Sequence, residues 1–387
     1  MAIYTFVVLH ESEDEWADQV EARIRSVCAQ VLLREDLLER LDDVGAAQGS
    51  PDAYAVIVYL ASVSGCASET IAGELDVAQR EAYTVVPIVR AGAEIATVMP
   101  DGIRRLNALE WGVESPALAL LLLRAFGLIE MERRLFLSYR RAETAALALQ
   151  LRDALSRRGY DVFLDRFSVP PGADFQRRID IELSDKAFVL LVESSSAVHS
   201  PWVQHEVTYA LSHHIAVLSL TMPDVGPPGV FEAVDEALRH RLKVGDFEND
   251  AVEPDGVLTG TSLATVLDAV EVASARQLRR KRSQLLGTMR DWLSQAGFDW
   301  QAVTDWGGVA SRPDSAPKAM MVTARPPSAR ALRETDILRR QADCPTATLV
   351  HDTIDQDAES TELLDWIMSD RPLTTVALAG MPNTLGI

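Results

Sequence analysis

Short, wholly apolar runs recur along the chain at intervals that helices fill, and this rhythm constrains the fold more than any other feature. IYTFVVL spans 3–9, YAVIVYL 54–60 and TVVPIV 84–89, with helical stretches over 13–30 and 68–81 between them. β-branched and aromatic residues dominate these runs. A run that is apolar at every position is buried on both faces, as in a parallel strand held between two helix layers. The alternation therefore predicts a parallel, doubly wound α/β sheet. The same rhythm restarts at RLFLSY (134–139) and passes through a helix over 144–158 that Gly159 closes. DVFLD (161–165), KAFVLLVE (186–193), a helix from about 202 and IAVLSLTM (215–222) follow.

The restart is an internal repeat. ASETIAGELDVAQ (67–79) lies against HSPWVQHEVTYAL (199–211), with Ser68 on Ser200, Ile71 on Val203, Glu74 on Glu206, Leu75 on Val207 and Ala78 on Ala210. The offset is constant, 206 − 74 = 132. We expect a tandem pair of α/β units joined near GLIEMERR (127–134), which gives domains over 1–130, 131–284 and 285–387. Residues 223–262 read as loop inside the second unit, before a helix near 262–284. That helix is expected to end in RQLRRKRS, whose Arg276, Arg279, Arg280, Lys281 and Arg282 suit a solvated helix C-terminus. The alternative is an anion contact for a neighbouring domain. In the third segment AMMVTA (319–324), TATLVH (346–351) and TTVALAG (374–380) read as strands, and 327–341 and 358–368 as helices. This smaller C-terminal α/β segment is expected to sense a signal ligand or protein.

Composition limits the partners. The net charge is -20 and the pI about 4.8, which disfavours nucleic acid and anionic membranes as whole-surface partners. Three cysteines, Cys28, Cys66 and Cys344, are far apart without metal-ligand spacing and read as reduced, buried cytoplasmic thiols. The N-terminus lacks a basic region and a cleavage site, so a signal peptide is not expected. The longest apolar run, ALALLLLRAFGLI (117–129), is broken by Arg124 and reads as a core helix rather than a membrane span. His213-His214 has no other ligand residue nearby in sequence and reads as structural, with no metal site expected.

The second unit carries the chemistry-bearing residues. Ligands of open α/β sheets bind outside the carboxyl ends of the strands. Ser138, Tyr139, Arg140 and Arg141 follow the first strand of the unit, Arg166 to Asp174 the second, and Ser194 to Ser200 the third, so all three loops should converge on one edge. Trp202 and Glu206 are four apart and share a helix face. Each residue alone has an ordinary reading: a core tryptophan, a solvated glutamate, a surface arginine pair. Together they suit a nucleotide. Arginine forks match phosphate oxygens, and Trp202 and Phe167 are suited to stacking on a base.

RRLFLSYRRAE, GYDVFLDRFSVPPGADF and SPWVQHEVTYAL, in this order, resemble a TIR (Toll/interleukin-1 receptor) domain over 133–284, and most closely the NAD-cleaving TIR domains of bacterial immune proteins. The resemblance implies tandem flavodoxin-like (TIR-type) sheets and NAD+ as substrate. It implies Glu206 as the catalytic carboxylate, in the Trp-x-x-x-Glu arrangement of those enzymes. It also implies no cofactor beyond that substrate, and activation by homo-oligomeric self-assembly in which the Pro170-Pro171-Gly172 loop takes part. Antiviral defence in the cytoplasm would be the setting. The first unit departs from the pattern, with His10-Glu11-Ser12-Glu13 after its strand and Thr70 in place of Trp202. Acids there would repel pyrophosphate, so a degenerate, non-catalytic TIR-like copy is expected. Two further readings stand beside an enzyme of this kind. One is a non-catalytic TIR scaffold that self-associates. The other is a nucleoside-transferring enzyme of related fold with a glutamate at its sheet edge.

Overall fold

The computed structural model describes residues 2–31, 33–48, 54–81, 83–104, 106, 108–112, 115–128, 133–164, 175–252, 254–304, 306–352 and 358–385. The chain divides into two compact units, residues 1–128 with 279–387, and residues 129–278.

The first unit opens with β1 (Tyr4–Leu9), α1 (Asp14–Gln30), β2 (Leu38–Leu41), α2 (Val44–Gln48), β3 (Tyr54–Ala61) and α3 (Val63–Ala67). It continues with α4 (Glu69–Arg80), β4 (Thr84–Val89), α5 (Ile95–Val98), β5 (Leu109–Glu110) and α6 (Pro116–Ala125). The strands form one parallel sheet in the order β2-β1-β3-β4-β5. Alternation along β1 sends Val7 and Leu9 to the face covered by Ile71, Leu75 and Ala78 of α4. Phe6 points the other way, edge-on to Phe126 at 6.4 Å between ring centroids.

The second unit repeats this plan. It contains β6 (Arg134–Tyr139), α7 (Arg141–Arg157), β7 (Asp161–Phe163), α8 (Phe175–Ser184), β8 (Phe188–Glu193), α9 (Pro201–Ser212), β9 (Ala216–Thr221) and β10 (Arg239–Arg241). These strands also form one parallel sheet, β10-β9-β8-β6-β7. Counted along each unit, both sheets have the same order, second-first-third-fourth-fifth, which is flavodoxin-like. The offset of 132 extends from helix to strand: 201 − 69 = 132 for α9 and α4, and 216 − 84 = 132 for β9 and β4. Strand register agrees, since Tyr59 lies opposite Pro87 and Leu191 opposite Ser219.

A buried ion pair ties the edge strand β10 of this second sheet to its central strand β8. Glu193, at the end of β8, and Arg239, which begins β10, have side chains only 0% and 1% exposed. Glu193 also accepts hydrogen bonds from Ser219 Oγ at 2.5 Å and from the amides of Val230 and Phe231 at 2.8 and 2.9 Å. Gly229, at φ 106°, lies so close that an added Cβ would stand 2.6 Å from Arg239 Cζ and 2.8 Å from Glu193 Oε1. The segment read as loop from the sequence therefore contains the strand β10, held by charge rather than by apolar packing.

α10 (Gly260–Gln295) is longer than the helix expected over 262–284. Leu278, Leu285, Leu286, Met289 and Leu293 continue a buried stripe past the arginines, and Gly297, at φ 73°, follows the end instead. RQLRRKRS is thus helix interior, not a solvated end. Arg282 is buried, donates to Thr84 Oγ1 and sits 5.9 Å from the Trp306 ring centroid, while Lys281 pairs with Asp352. The C-terminal sheet has the order β11-β12-β13-β14-β15, comprising β11 (Asp299–Thr304), β12 (Gly307–Arg312), β13 (Ser315–Thr323), β14 (Thr346–His351) and β15 (Leu373–Ala377). β11 to β13 are antiparallel neighbours, and β13 to β15 run parallel with α11 (Ala329–Gln341) and α12 (Ala358–Ser369) as connections. The hairpin β11-β12 was not expected. Its two-glycine start lets the strands approach closely, for a Cβ on Gly308 would meet Gln301 O at 2.1 Å.

All three cysteines are free. Cys28 and Cys344 are buried as expected, but Cys66 is only partly so. Among the described residues no helix is long and apolar enough to cross a membrane. Removing one partner of the Glu193–Arg239 pair strands a buried charge. Glu193→Ala is expected to lower unfolding free energy by about 3–5 kcal/mol, and Glu193→Ala with Arg239→Met by less, as read by urea denaturation of the full chain.

Candidate active site

The pleat of β6 decides which of its residues meets which helix. Phe136 shares a cluster with Val203, Val207 and Ala210 of α9, whereas Leu137 and Tyr139 pack with Leu147 and Leu151 of α7. Ser138 has the parity of Phe136 and so turns toward α9. α9 begins where Ser200 Oγ accepts from the Val203 amide at 3.5 Å and Pro201 occupies the first turn. This start places Trp202 in the first turn and Glu206 one turn later.

Ser138 and Glu206 meet. Ser138 Oγ donates to Glu206 Oε2 at 2.5 Å, with both residues buried. A hydroxyl-to-carboxylate bond of this length is charge-assisted, and it fixes the carboxyl's orientation. Beside it lies a cavity of about 530 Å³, lined by Leu137, Tyr139, Arg141, Trp202 and Glu206 among others. That volume suits a small-molecule ligand. Trp202 is 49% exposed, so much of its indole surface is available to a flat ring while its helix neighbours Val203 and Val207 are buried. The composition of the wall is one carboxylate, one guanidinium and two aromatic rings.

Arg140 takes a different path from Arg141. Its guanidinium bonds to Glu143 and Ser196, and Ser194 Oγ donates to Glu143 Oε2 at 2.5 Å. This polar cluster joins the loops after β6 and β8. Burial pushes the Glu143 carboxyl up, but the hydroxyls of Ser194 and Ser196 and the Arg140 charge outweigh it and hold the group below its ordinary value.

The fold thus brings Ser138, Tyr139, Arg141, Trp202 and Glu206 together at the carboxyl edge of the second sheet. Arg140 is at the same edge, turned into the neighbouring cluster. Phe167 and the Pro170-Pro171-Gly172 loop lie outside the described residues. His213 stacks on Tyr209, 4.0 Å between centroids, as a structural histidine would. Sequence reasoning overlooked Glu143, Ser194 and Ser196. The signal was present in two loops already singled out, since a glutamate three residues after Arg140 faces back along a helical turn.

The first unit offers a contrast at the corresponding place. Ser68 caps α4 as Ser200 caps α9, accepting from the Ile71 amide at 3.4 Å. Glu74 instead accepts from the Val44 amide at 2.8 Å, at the start of α2. Strand register sets Leu9 opposite Tyr59 where Ser138 stands opposite Leu191, so an apolar side chain takes the place of that hydroxyl. The edge is occupied by its own side chains, with the Arg90 guanidinium 4.5 Å from the Trp16 ring centroid and bonded to Glu13 at 2.8 Å.

Residues 135–254 match the family model described as TIR domain. A TIR domain therefore lies within the second unit and includes Ser138, Arg141, Trp202 and Glu206. No curated protein matches the chain.

The Glu143 cluster has a pH signature. Its folded value is lowered, so its stabilisation is present above the unfolded value of 4.5 and is lost as pH falls through the folded value. Glu143→Gln is expected to melt earlier than the parent at neutral pH, with the difference shrinking as the solution is taken below that value. Thermal melts across the acid range measure this.

Proposed function

We propose that the TIR domain is an NAD+ glycohydrolase with Glu206 as its catalytic carboxylate. The observation that carries this reading is the buried Ser138–Glu206 hydrogen bond beside a nucleotide-sized cavity with an indole and an arginine in its wall. The chemistry asks for little else. The bond between ribose C1′ and the nicotinamide nitrogen breaks, and its electron pair returns to the ring, which leaves as a neutral base. No leaving-group acid is needed, unlike ordinary glycoside cleavage, which uses two carboxyl groups. The ribose becomes oxocarbenium-like, and a fixed negative charge or hydrogen bonds to its hydroxyls stabilise it. Water then adds at C1′ and sheds a proton, giving ADP-ribose. Capture by an adenine nitrogen instead gives a cyclic isomer.

In this reading Ser138 positions Glu206, Trp202 stacks on a ring of the substrate and Arg141 faces the pyrophosphate. Arg140 braces the adjoining loops through Glu143. The constant offset between α4 and α9 and between their flanking strands supports reading the first α/β portion as a second copy of the same unit. Leu9 at the position of Ser138 and Thr70 at that of Trp202 support its being non-catalytic. By the family resemblance the working form would be a homo-oligomer.

The test is nicotinamide release from NAD+ by the full chain, at dilute and at crowded protein concentrations. Glu206→Gln is expected to lower kcat by at least about a hundredfold. Trp202→Ala and Arg141→Ala are expected to raise KM, and Glu74→Gln to leave turnover near the parent rate. Equal losses from Glu74→Gln and Glu206→Gln would remove the distinction between the copies. No release in any assembled state would make the domain a scaffold.

A further inference from the structure

The first unit contains a second cavity, of about 490 Å³, that shares no lining residue with the cavity beside Glu206. It lies between the first parallel sheet and the C-terminal sheet. Leu121 of α6, Trp306, Met321 of β13 and Ile337 of α11 contribute apolar surface to it. Ile337 is 42% exposed, so part of its side chain is open to a ligand in the cavity.

Charge at this cavity runs against the rest of the chain. Arg124, Arg330 and Arg333 line it with a single carboxylate, Glu334. Both oxygens of Glu334 are engaged, Oε2 by Arg124 at 2.9 Å and Oε1 by Arg330 at 3.3 Å. Arg333 has no carboxylate within ion-pair distance among the described residues. Three cations against one anion leave a net positive pocket in a protein of net charge -20. The arrangement is also poor for the helix itself. Ser328 caps α11 through the Ala331 amide at 3.2 Å, so Arg330 stands in the first turn, where the helix dipole favours acids. No acid occupies that turn. Arg124 and Arg330 are balanced by Glu334, which leaves Arg333 as the cation of this wall that an anionic group would meet.

We infer that this cavity binds a small organic anion with an apolar or aromatic body. Its negative group would meet Arg333 of α11, and its body would lie over Leu121, Trp306 and Ile337. The ligand would bridge the first α/β portion and the C-terminal sheet, which gives the third segment a sensing chemistry independent of the nucleotide site.

The probe is 8-anilinonaphthalene-1-sulfonate, an aromatic body with one fixed negative charge, titrated into the full chain and followed by fluorescence. Its uncharged analogue N-phenyl-1-naphthylamine reports the apolar part alone. Saturable one-site binding is expected. Arg333→Glu should weaken the sulfonate by roughly tenfold or more while changing the uncharged probe little. Leu121→Trp should weaken both by filling the space. If Leu121→Trp melts early, Ile337→Trp replaces it. Equal sulfonate binding by parent and Arg333→Glu would overturn the inference, as would the absence of binding by a parent chain that shows a cooperative thermal melt. Binding by both probes that survives the filling substitution in a folded variant would overturn it as well.

Discussion

A parallel sheet covered by helices on both faces has no free face for chemistry. Its strands are apolar at nearly every position because both sides are buried, as in Phe188–Glu193, where all six residues are inaccessible. A polar group on such a strand is costly unless it finds a partner, and the strand ends are where partners can be reached. In the second unit the pleat of β6 turns Ser138 toward α9, and α9 returns Glu206 to it. This one hydrogen bond satisfies two buried polar groups and orients a carboxylate at the edge of a cavity. Tyr139, Arg141 and Trp202 owe their convergence to the same two elements.

The same scaffold carries a different edge in the first unit. β1, β3, β4 and α4 keep the register and the serine cap of their counterparts, so the core-facing residues are interchangeable in kind. What differs lies at the strand ends. Leu9 cannot bond to a carboxylate, and Glu74 is engaged by the amide of Val44. At the same sheet edge Trp16 and Arg90 make a cation–aromatic contact. Apolar packing tolerates substitution of like for like, whereas a polar pair requires both members in place.

Much of this was legible in the chain itself. The apolar runs located the principal strands of both parallel sheets because burial on both faces leaves an unbroken pattern. The repeat was legible because helix caps and core positions recur at a fixed offset. The short edge strands β2, β5 and β10 were not, since two to four residues with polar neighbours carry no period. The length of α10 was misjudged at a cluster of arginines that resembled a helix end. The apolar stripe from Leu278 to Leu293 was the better guide, because arginine stems pack along buried surfaces while their charges find partners such as Thr84 Oγ1.

Local sequence determined the strands, the amphipathic helices, the serine caps and the spacing of Trp202 and Glu206, because each depends on residues within a few turns of one another. It also singled out the strand-end loops as the place for chemistry. Tertiary structure alone decided how two adjacent arginines divide their work, with Arg141 in the cavity wall and Arg140 drawn to Glu143 and Ser196 across a loop. It alone paired Ser138 with Glu206 and Glu193 with Arg239, and it alone brought Arg124 to Glu334. The pairs Glu193–Arg239, Ser138–Glu206 and Arg124–Glu334 join residues 46, 68 and 210 positions apart, and no periodicity encodes a contact between side chains that only folding brings within hydrogen-bond reach.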